Sequence, residues 1–455
     1  MQQLVRIGCA AGFAGDRADA ALLIIGELAS HRDPRFLMFE TLAERTLALC
    51  QLEKRRDPAR GYSPALERML PGALGPCLEN GIRIIGNFGA ANPRAAGERI
   101  ATLARAAGFP RPRIAVIEGD DVNGLFSTEE LAARQMDGKV LDPCANIVAA
   151  NVYLGAEPIA RAFDEGAEVV VTGRVADPAL ALGPLVHAHR WDWKDWQRLA
   201  SGTLAGHLLE CAGQVTGGYF ADPGRKDVPG LAELGYPIAE VEPSGELIIT
   251  KPVLSGGIVD RRTVAEQILY EVHDPSAYLT PDVILDITDV EVMPVGPDRV
   301  RVVGARGKPR PETLKATAFL ASGMLGEAEI SYAGPNAPAR AQLAAEIVTT
   351  RMAKRMPELQ IRVDLVGRAS LFGTLAPACS TDADATAEVR LRFAAQHAER
   401  EPLELLLDEV EALYCSGPAG GAGVRRYLTP RLASASCLIE RDKVVPRVTF
   451  LGASE

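Results

Sequence analysis

The first half of the chain repeats one pattern: a short apolar run, a polar or glycine-bearing loop, and a stretch with the apolar spacing of a helix. The apolar runs begin near residues 5, 36, 81, 113 and 167, and the last contains the β-branched segment Val169–Thr172. Strands that are joined through helices run parallel and need cover on both faces of the sheet. The pattern therefore predicts an α/β fold with an N-terminal doubly wound, mostly parallel, Rossmann-like sheet.

The pattern changes after Gly218, where strands follow one another with fewer intervening helices. We predict strands over residues 246–252, 313–320 and 326–332, and two more between residues 283 and 303. Such runs of strands are typical of an α+β domain.

The length of the chain also bears on its domain organisation. Its 455 residues exceed the size that one hydrophobic core usually supports. We therefore predict two domains. A Rossmann-like α/β domain over residues 1–220 carries the candidate site, and a mixed α+β domain covers residues 221–455.

Composition restricts the class of protein. A hydrophobic fraction of 47% and a charged fraction of 24% are typical of a soluble globular protein. The formal charge of −10, with no run of basic residues, argues against nucleic-acid binding. No apolar stretch reaches the roughly 20 residues of a membrane helix, and the N-terminus lacks a signal-peptide pattern. We expect a cytoplasmic protein that binds neither nucleic acid nor membrane.

The densest group of reactive side chains lies in the segment Gly202–Gly218. Read as a helix that ends at the glycines, this segment places His207 three residues before Glu210 and four before Cys211, so the three side chains share one face. An imidazole and a carboxyl group at this spacing can act as an acid–base pair. The alternative is a packed histidine beside a cysteine that fills apolar space.

Two further candidates follow predicted strands, where open α/β sheets bind their ligands. Glu40 ends the second strand, and Arg174 follows the fifth. Arg174 is suited to a forked contact with a carboxylate or phosphate, or else it closes its own loop by pairing with Asp177. Glu40 is either a site residue or a carboxylate at the start of the next helix.

Candidate ligand-binding positions also lie in loops. Gly12 and Gly15 follow the first strand and suggest a cradle of amides for an anion or an acyl carrier, although their spacing is not that of a dinucleotide loop. Asn87 either holds a carbonyl or ribose group or stabilises a turn. Gly420 and Gly421 either form an anion-binding nest or allow close backbone packing.

The sequence does not predict a metal site. Glu118, Asp120 and Asp121 surround one glycine and either bind a cation or cap the next turn, and their spacing matches no standard ligand pattern. The eight cysteines never form a Cys-x-x-Cys pair, so they indicate neither structural zinc nor a disulfide framework.

Several motifs in combination resemble the acyclic terpene utilisation protein family AtuA, and the resemblance runs from the first strand to the last. The motifs are Leu37–Arg45, Ile117–Asp121, Tyr153–Ala156, Val171–Asp177, Gly206–Gly218, Tyr270–Pro275, Ile330–Pro335 and Ser416–Gly421. The resemblance implies a role in the bacterial breakdown of citronellol and geraniol through acyl-CoA intermediates. It implies no particular catalytic residues.

Two hypotheses of function follow. The first is a lyase or hydratase that acts on a branched acyl-CoA or a related carboxylic acid, with catalytic roles for His207, Glu210, Glu40 and Arg174. CoA is then expected as part of the substrate. The second is a non-catalytic binding subunit of a hetero-oligomer with a small companion protein. We also expect the chain to form homo-oligomers.

Overall fold

The computed structural model describes residues 4–136, 147–366 and 388–451. The chain divides into two compact units, residues 1–319 with 434–455, and residues 320–433. The predicted domain boundary at residue 220 lies within the first of these units. Among the described residues, no helix is long and apolar enough to cross a membrane.

Eighteen strands are found in the described residues. They are β1 (Val5–Cys9), β2 (Arg35–Phe39), β3 (Arg83–Gly86), β4 (Ile114–Glu118), β5 (Ile147–Val152), β6 (Val169–Thr172), β7 (Ile238–Val241), β8 (Leu247–Thr250), β9 (Tyr278–Leu279), β10 (Ile284–Asp286), β11 (Glu291–Gly296), β12 (Arg299–Val303), β13 (Arg306–Lys308), β14 (Thr313–Tyr332), β15 (Ile361–Val366), β16 (Val389–His397), β17 (Ala422–Glu440) and β18 (Arg447–Phe450).

Twelve α-helices occur in the same described ranges. They are α1 (Ala20–Ala29), α2 (Glu44–Arg56), α3 (Ala65–Glu79), α4 (Pro93–Ala106), α5 (Thr128–Ala132), α6 (Glu157–Asp164), α7 (Ala179–His189), α8 (Trp196–Glu210), α9 (Arg261–Leu269), α10 (Ala337–Arg355), α11 (Glu401–Glu411) and α12 (Leu413–Ser416).

A large mixed sheet dominates the first unit. Its order, among the described strands, is β11-β12-β8-β7-β1-β2-β3-β6-β4-β18. The strands β1, β2, β3, β6 and β4 run parallel to one another, which confirms the parallel pattern predicted for the first half. These strands are buried almost throughout, as parallel strands covered on both faces must be.

The sheet as a whole is mixed and not mostly parallel. Strand β7 pairs antiparallel with β1, and β8, β12 and β11 continue outward from it in antiparallel order. Strand β18 adds an antiparallel strand at the other edge, beside β4. Segments after residue 220 thus extend the first sheet, which is why the first unit runs past the predicted boundary.

Helix α8 carries His207 and Glu210 and is almost entirely buried from Leu199 onward. The Asp195 side chain caps it by accepting a hydrogen bond from the Arg198 amide. The helix ends at Glu210, ahead of the glycines predicted to end it, and a short 3-10 turn follows over Ala212–Gln214.

The second unit contains most of a sheet with the order β15-β16-β14-β17, and β16 pairs antiparallel with β14 and β15. Helices α10 and α11 share its apolar core, which includes Ile330, Tyr332 and Phe393. The two strands predicted over residues 313–320 and 326–332 are one strand, β14, which continues through Gly323 at a φ of +70°.

Candidate functional site

Two glycines bring three segments of the first unit together. A Cβ atom on Gly206, in α8, would lie 2.4 Å from the Pro178 carbonyl oxygen, so only glycine allows the helix to approach the loop after β6 this closely. A Cβ atom on Gly12 would lie 2.7 Å from the carbonyl carbon of Cys211. The loops after β1 and β6 therefore pack directly against the C-terminal half of α8.

Arg174 is the buried cation of this region, with only 3% of its surface exposed. Its Nη2 lies 2.9 Å from Oδ1 of Asp177, its Nη1 donates to the Leu42 carbonyl, and its guanidinium lies 4.1 Å from the centre of the Tyr153 ring. Burial lowers the pKa of Arg174, but Asp177 and other acids outweigh this effect, so the group stays charged. Its Nε is buried and has no hydrogen-bond partner among the described residues.

Of the two predicted alternatives for Arg174, the structure shows the ion pair with Asp177, and contact with a ligand stays a prediction. The ion pair with Asp177 does close the loop after β6, as one of them required. One buried N–H donor is nevertheless left over, and a buried donor without a partner costs free energy unless a ligand supplies an acceptor.

Asp177 lies at the edge of the site. About a third of its side chain (32%) is exposed, but its Oδ1 is covered. Burial of the carboxyl group raises the pKa of Asp177, and Arg174 opposes the rise. Asp177 raises the pKa of both Glu40 and Glu210, which shows that it lies within electrostatic reach of the two.

Glu40 follows β2, and its amide donates to the Ala11 carbonyl at 3.0 Å. The next helix begins only at Glu44, so the interpretation of Glu40 as a helix-start carboxylate is wrong. Its Oε1 accepts hydrogen bonds of 2.8 Å from the Leu42 amide and the Asn87 side chain. Burial and the nearby Asp177 raise the pKa of Glu40 to about 8, so this carboxyl is largely protonated at neutral pH.

Asn87 is fully buried and holds Glu40 in place. Its Oδ1 accepts from the Thr41 amide at 2.7 Å, while its Nδ2 donates to Glu40. Through these contacts Asn87, which follows β3, orients the Glu40 carboxyl group at the end of the neighbouring strand β2.

His207 and Glu210 contact each other as the helical spacing predicts. His207 Nδ1 lies 3.0 Å from Glu210 Oε1, and its Nε2 lies 3.2 Å from the Ile268 carbonyl oxygen. Because a carbonyl can only accept, Nε2 carries a hydrogen. One further proton then lies between Nδ1 and Oε1, on the imidazole or on the carboxyl group.

The pKa of Glu210 departs from that of an exposed glutamate. Burial raises the pKa of Glu210 to about 7 against the opposing effect of His207, and Asp177 and Glu271 add to the rise. The pKa of His207 is raised as well, because its bond to Glu210 outweighs burial. Glu210 Oε2 is buried without a hydrogen-bond partner among the described residues. Both ring nitrogens of His207 are engaged in hydrogen bonds. Glu210 is therefore the member of the pair with an oxygen available for proton transfer.

Sequence analysis did not single out Glu271 or Tyr278, which the segment after α9 brings to the same region. Tyr278 packs edge-on against His207 with ring centres 5.4 Å apart. Glu271 has a φ of +60°, a left-handed conformation that is rare for a residue other than glycine and concentrates at functional sites. Glu271 belongs to a motif shared with the family, but its backbone conformation leaves no signal in the sequence.

Tyr153 and Glu44 complete the surroundings of Arg174. The Tyr153 hydroxyl donates to Glu44, and Lys315 Nζ lies 3.8 Å from the same carboxylate and 4.9 Å from the Tyr153 ring centre. The face of Tyr153 thereby supports Arg174, and its hydroxyl fixes an acid next to the strand ends.

Asp120 positions the Arg174 backbone. Its Oδ2 accepts from the Arg174 amide at 2.8 Å and from Asn151 Nδ2 at 2.9 Å. Asp120 thus fixes the loop after β6, a structural role similar to the predicted capping of a turn. Within the described residues, no group of three or more His, Cys, Asp or Glu side chains is arranged to hold a metal ion.

The glycine loops show packing roles. The Gly12 amide donates to Asp16 Oδ2 at 2.9 Å, so a carboxylate already occupies the position where a bound anion was expected. A Cβ atom on Gly15 would lie 2.5 Å from the Phe13 ring.

Gly420 and Gly421 belong to the second unit. A Cβ atom on Gly420, at a φ of +75°, would lie 2.8 Å from Arg340 Nη1, and one on Gly421 would lie 2.9 Å from Ile330. Arg340 donates to the Ala419 carbonyl at 2.6 Å and so holds this loop.

Cys211 ends α8 beside the acids. Burial and the adjacent Glu210 raise the pKa of its thiol well above the ordinary range. The thiolate is therefore scarce at neutral pH, which disfavours a nucleophilic role.

The comparison with known families agrees with the motifs. No curated protein matches the sequence. The sequence model of the family described as acyclic terpene utilisation family protein AtuA matches residues 5–450, nearly the whole chain, and confirms the predicted resemblance. This chain therefore belongs to the acyclic terpene utilisation family AtuA.

Proposed function

We propose that the chain is a lyase or hydratase that acts on a branched acyl-CoA or a related carboxylic acid. The observation that carries the proposal is a pair of buried carboxyl groups held by hydrogen bonds, Glu40 by Asn87 and Glu210 by His207. Burial raises the pKa of Glu40 to about 8 and that of Glu210 to about 7. Acids and bases that titrate near neutral pH are what proton transfer at a carbon next to a carbonyl requires. Membership of the family supports a role in acyclic terpene utilisation.

The chemistry we propose is addition of water to an α,β-unsaturated acyl group. Glu210, as a carboxylate, takes a proton from water while the water oxygen bonds to C3. The C2–C3 π electrons move toward the carbonyl, and protonated Glu40 gives its proton to C2. The product is the 3-hydroxyacyl compound, and solvent returns one proton from Glu210 to Glu40. Removal of water is the same path in reverse.

The other residues have supporting roles in this proposal. The free Nε–H of Arg174 stabilises the negative charge that develops on the carbonyl oxygen. His207 positions Glu210 and sets its proton affinity through the 3.0 Å contact, so it is a positioning residue and not the base itself. Asn87 has the corresponding role for Glu40.

An assay of hydration and dehydration tests the proposal. Branched enoyl-CoA and 3-hydroxyacyl-CoA substrates are offered to the wild type, and loss of the conjugated thioester absorbance is followed. We expect turnover in the wild type and its loss in Glu210→Gln and Glu40→Gln. Undiminished turnover in both folded variants would contradict the assignment of the two carboxyls.

Burial of the site favours a second candidate, the non-catalytic binding subunit with a small companion protein. His207 is 2% exposed and Arg174 3% exposed, so neither side chain is open to solvent, whereas about a third of the Asp177 side chain is exposed. This candidate predicts that branched acyl-CoA compounds stabilise the protein but are not converted by the purified chain.

A further inference from the structure

The hydrogen-bonding capacity left over in the site indicates what kind of group can enter it. Three buried polar atoms of the site have no hydrogen-bond partner among the described residues. One is Asp177 Oδ1, although it forms an ion pair with Arg174 Nη2 at 2.9 Å. The other two are Arg174 Nε, a donor, and Glu210 Oε2, an acceptor when ionised. Both residues are at least nine-tenths buried. Asp177 pairs with Arg174, and the adjacent Pro178 packs against Gly206, which lies one helical turn before Glu210 on the same face of α8.

The charges of the region are the second observation. Its cations already face carboxylates, because Arg174 pairs with Asp177 at 2.9 Å and Lys315 lies 3.8 Å from Glu44. His207 and Glu210 hold one proton between them. The Glu271 carboxylate then adds negative charge that acts on both Asp177 and Glu210.

A free carboxylate is a poor ligand for such a site. Transfer of a charge from water to a buried region is unfavourable unless a partner of opposite charge is available there. Here the arginine is already neutralised by Asp177, and a second anion would also be repelled by the Asp177 and Glu271 carboxylates. A neutral carbonyl group avoids this repulsion and still accepts the Arg174 Nε–H hydrogen bond.

We infer that the group bound in this site is a neutral carbonyl with a nearby hydroxyl, as in a 3-hydroxyacyl thioester, and not a free carboxylic acid. The carbonyl oxygen accepts from Arg174 Nε, and the hydroxyl donates to Glu210 Oε2. This inference rests on the proposed function, and it decides between the two substrate classes that the proposal leaves open, the acyl thioester and the free acid.

Binding measurements on matched compounds test the inference without requiring turnover. The probes are the N-acetylcysteamine thioester of 3-hydroxy-3-methylbutanoic acid, the free acid itself, and the thioester of 3-methylbutanoic acid, which lacks the hydroxyl. Affinities are measured by titration calorimetry on the full chain. We expect the hydroxy thioester to bind about tenfold or more tightly than the free acid, and loss of the hydroxyl to weaken binding several-fold.

Two variants separate the electrostatic reason from a general loss of structure. In Glu210→Gln, one source of negative charge is removed, so the preference for the thioester over the free acid should shrink while both compounds still bind. In Arg174→Lys, the Nε–H donor is lost. The hydroxy thioester should therefore bind more weakly to this variant even when the variant is fully folded. Glu404→Gln, on the exposed side of α11, serves as the matched control with unchanged affinities.

The outcomes distinguish this inference from the proposed function. Equal or tighter binding of the free acid, or no binding of the hydroxy thioester at millimolar concentration, overturns the inference. Selective binding of the thioester with no hydration or dehydration supports the inference and removes the proposed function. Turnover with a preference for the free acid does the reverse.

Discussion

In the second unit, Glu409 is only 5% exposed and lies between Arg351 and Arg355, which hold the pKa of its carboxyl below the ordinary value. In the first unit, Glu40 and Glu210 are buried to a similar degree, yet their pKa values are raised to about 8 and about 7. Burial without enough cations is the largest cause of the raised pKa of Glu40 and Glu210, whereas hydrogen bonds from two arginines outweigh burial in Glu409.

The sheet of the second unit follows the same rule as Glu409. On it, Glu329 pairs with Arg390 at 3.0 Å and Asp364 with Arg392 at 2.6 Å. The acids of the first-unit site instead share one buried guanidinium, which Asp177 already contacts. Paired charges of the first kind stabilise or specify structure, whereas carboxyls left to titrate near neutral pH are characteristic of functional sites.

The largest expected effect separates Glu210 from Glu409. Glu210→Gln keeps the size of the side chain but removes the titrating group, so turnover of a branched enoyl-CoA should fall at least about 100-fold. Glu409→Gln should leave turnover within about twofold of the wild type. The measurement is kcat in the hydration assay, with circular dichroism as a check on folding. Similar losses in the two variants would remove the distinction.

The pH dependence of hydration should be the next largest effect. The reaction needs Glu210 ionised and Glu40 protonated, so activity rises as the pH passes about 7 and falls as it passes about 8. Outside this window the rate should change about tenfold per pH unit. A profile of kcat/KM against pH measures it, and a flat profile from pH 5 to 9 would count against the two carboxyls.

Gly206 should be essential to the close packing of α8 against the loop after β6. In Gly206→Ala, the new methyl group meets the Pro178 backbone, so the helix must shift. We expect a loss of about 1–3 kcal/mol in the free energy of unfolding, together with reduced turnover. Gly72→Ala is the matched control, because nothing lies within 4 Å of its Cβ position in α3. That variant should be as stable as the wild type or more so. Equal stability of the two variants would argue against the close contact.

The smallest effect is on stability and has opposite signs in the two units. The folded-state pKa of Glu40 is raised from 4.5 to about 8, so the wild type loses stability as the pH rises through this interval. The melting temperature of Glu40→Gln, relative to that of the wild type, should therefore increase from pH 5 to pH 8. Glu409 has a lowered pKa, so its contribution is present at neutral pH and is lost as the pH falls.

Glu409→Gln should accordingly destabilise the protein at pH 7, by about 1–2 kcal/mol, because charge-assisted hydrogen bonds are lost. Thermal unfolding of both variants at several pH values gives the comparison. If both substitutions changed the thermal stability in the same direction, the supply of cations would not separate the two environments.

Local patterns predicted the parts of the structure that local physics determines. The apolar runs of the first half gave the parallel strands, and strand ends located Glu40 and Arg174. The helical spacing gave the contact of His207 with Glu210. Each of these follows from periodicity or from position within a few residues.

Long-range pairing and backbone conformation could not be predicted in this way. Strand β1 pairs with β7, more than 200 residues later, and no local pattern specifies that partner. The positive φ of Glu271 and the engagement of the Gly12 amide by Asp16 both depend on tertiary structure. For this reason the sequence missed two residues of the candidate site and gave an anion-binding role to a loop whose amide is occupied.

The protonation states of Glu40 and Glu210 are the core of this account, and infrared difference spectroscopy measures them directly without a substrate. Spectra of the wild type minus Glu40→Gln and minus Glu210→Gln are recorded from pH 5 to pH 9. The account predicts a protonated carboxyl band that disappears with Glu40→Gln at pH 7, and a second that titrates near neutral pH and disappears with Glu210→Gln. Carboxyl groups that are both fully ionised at pH 5 would contradict it.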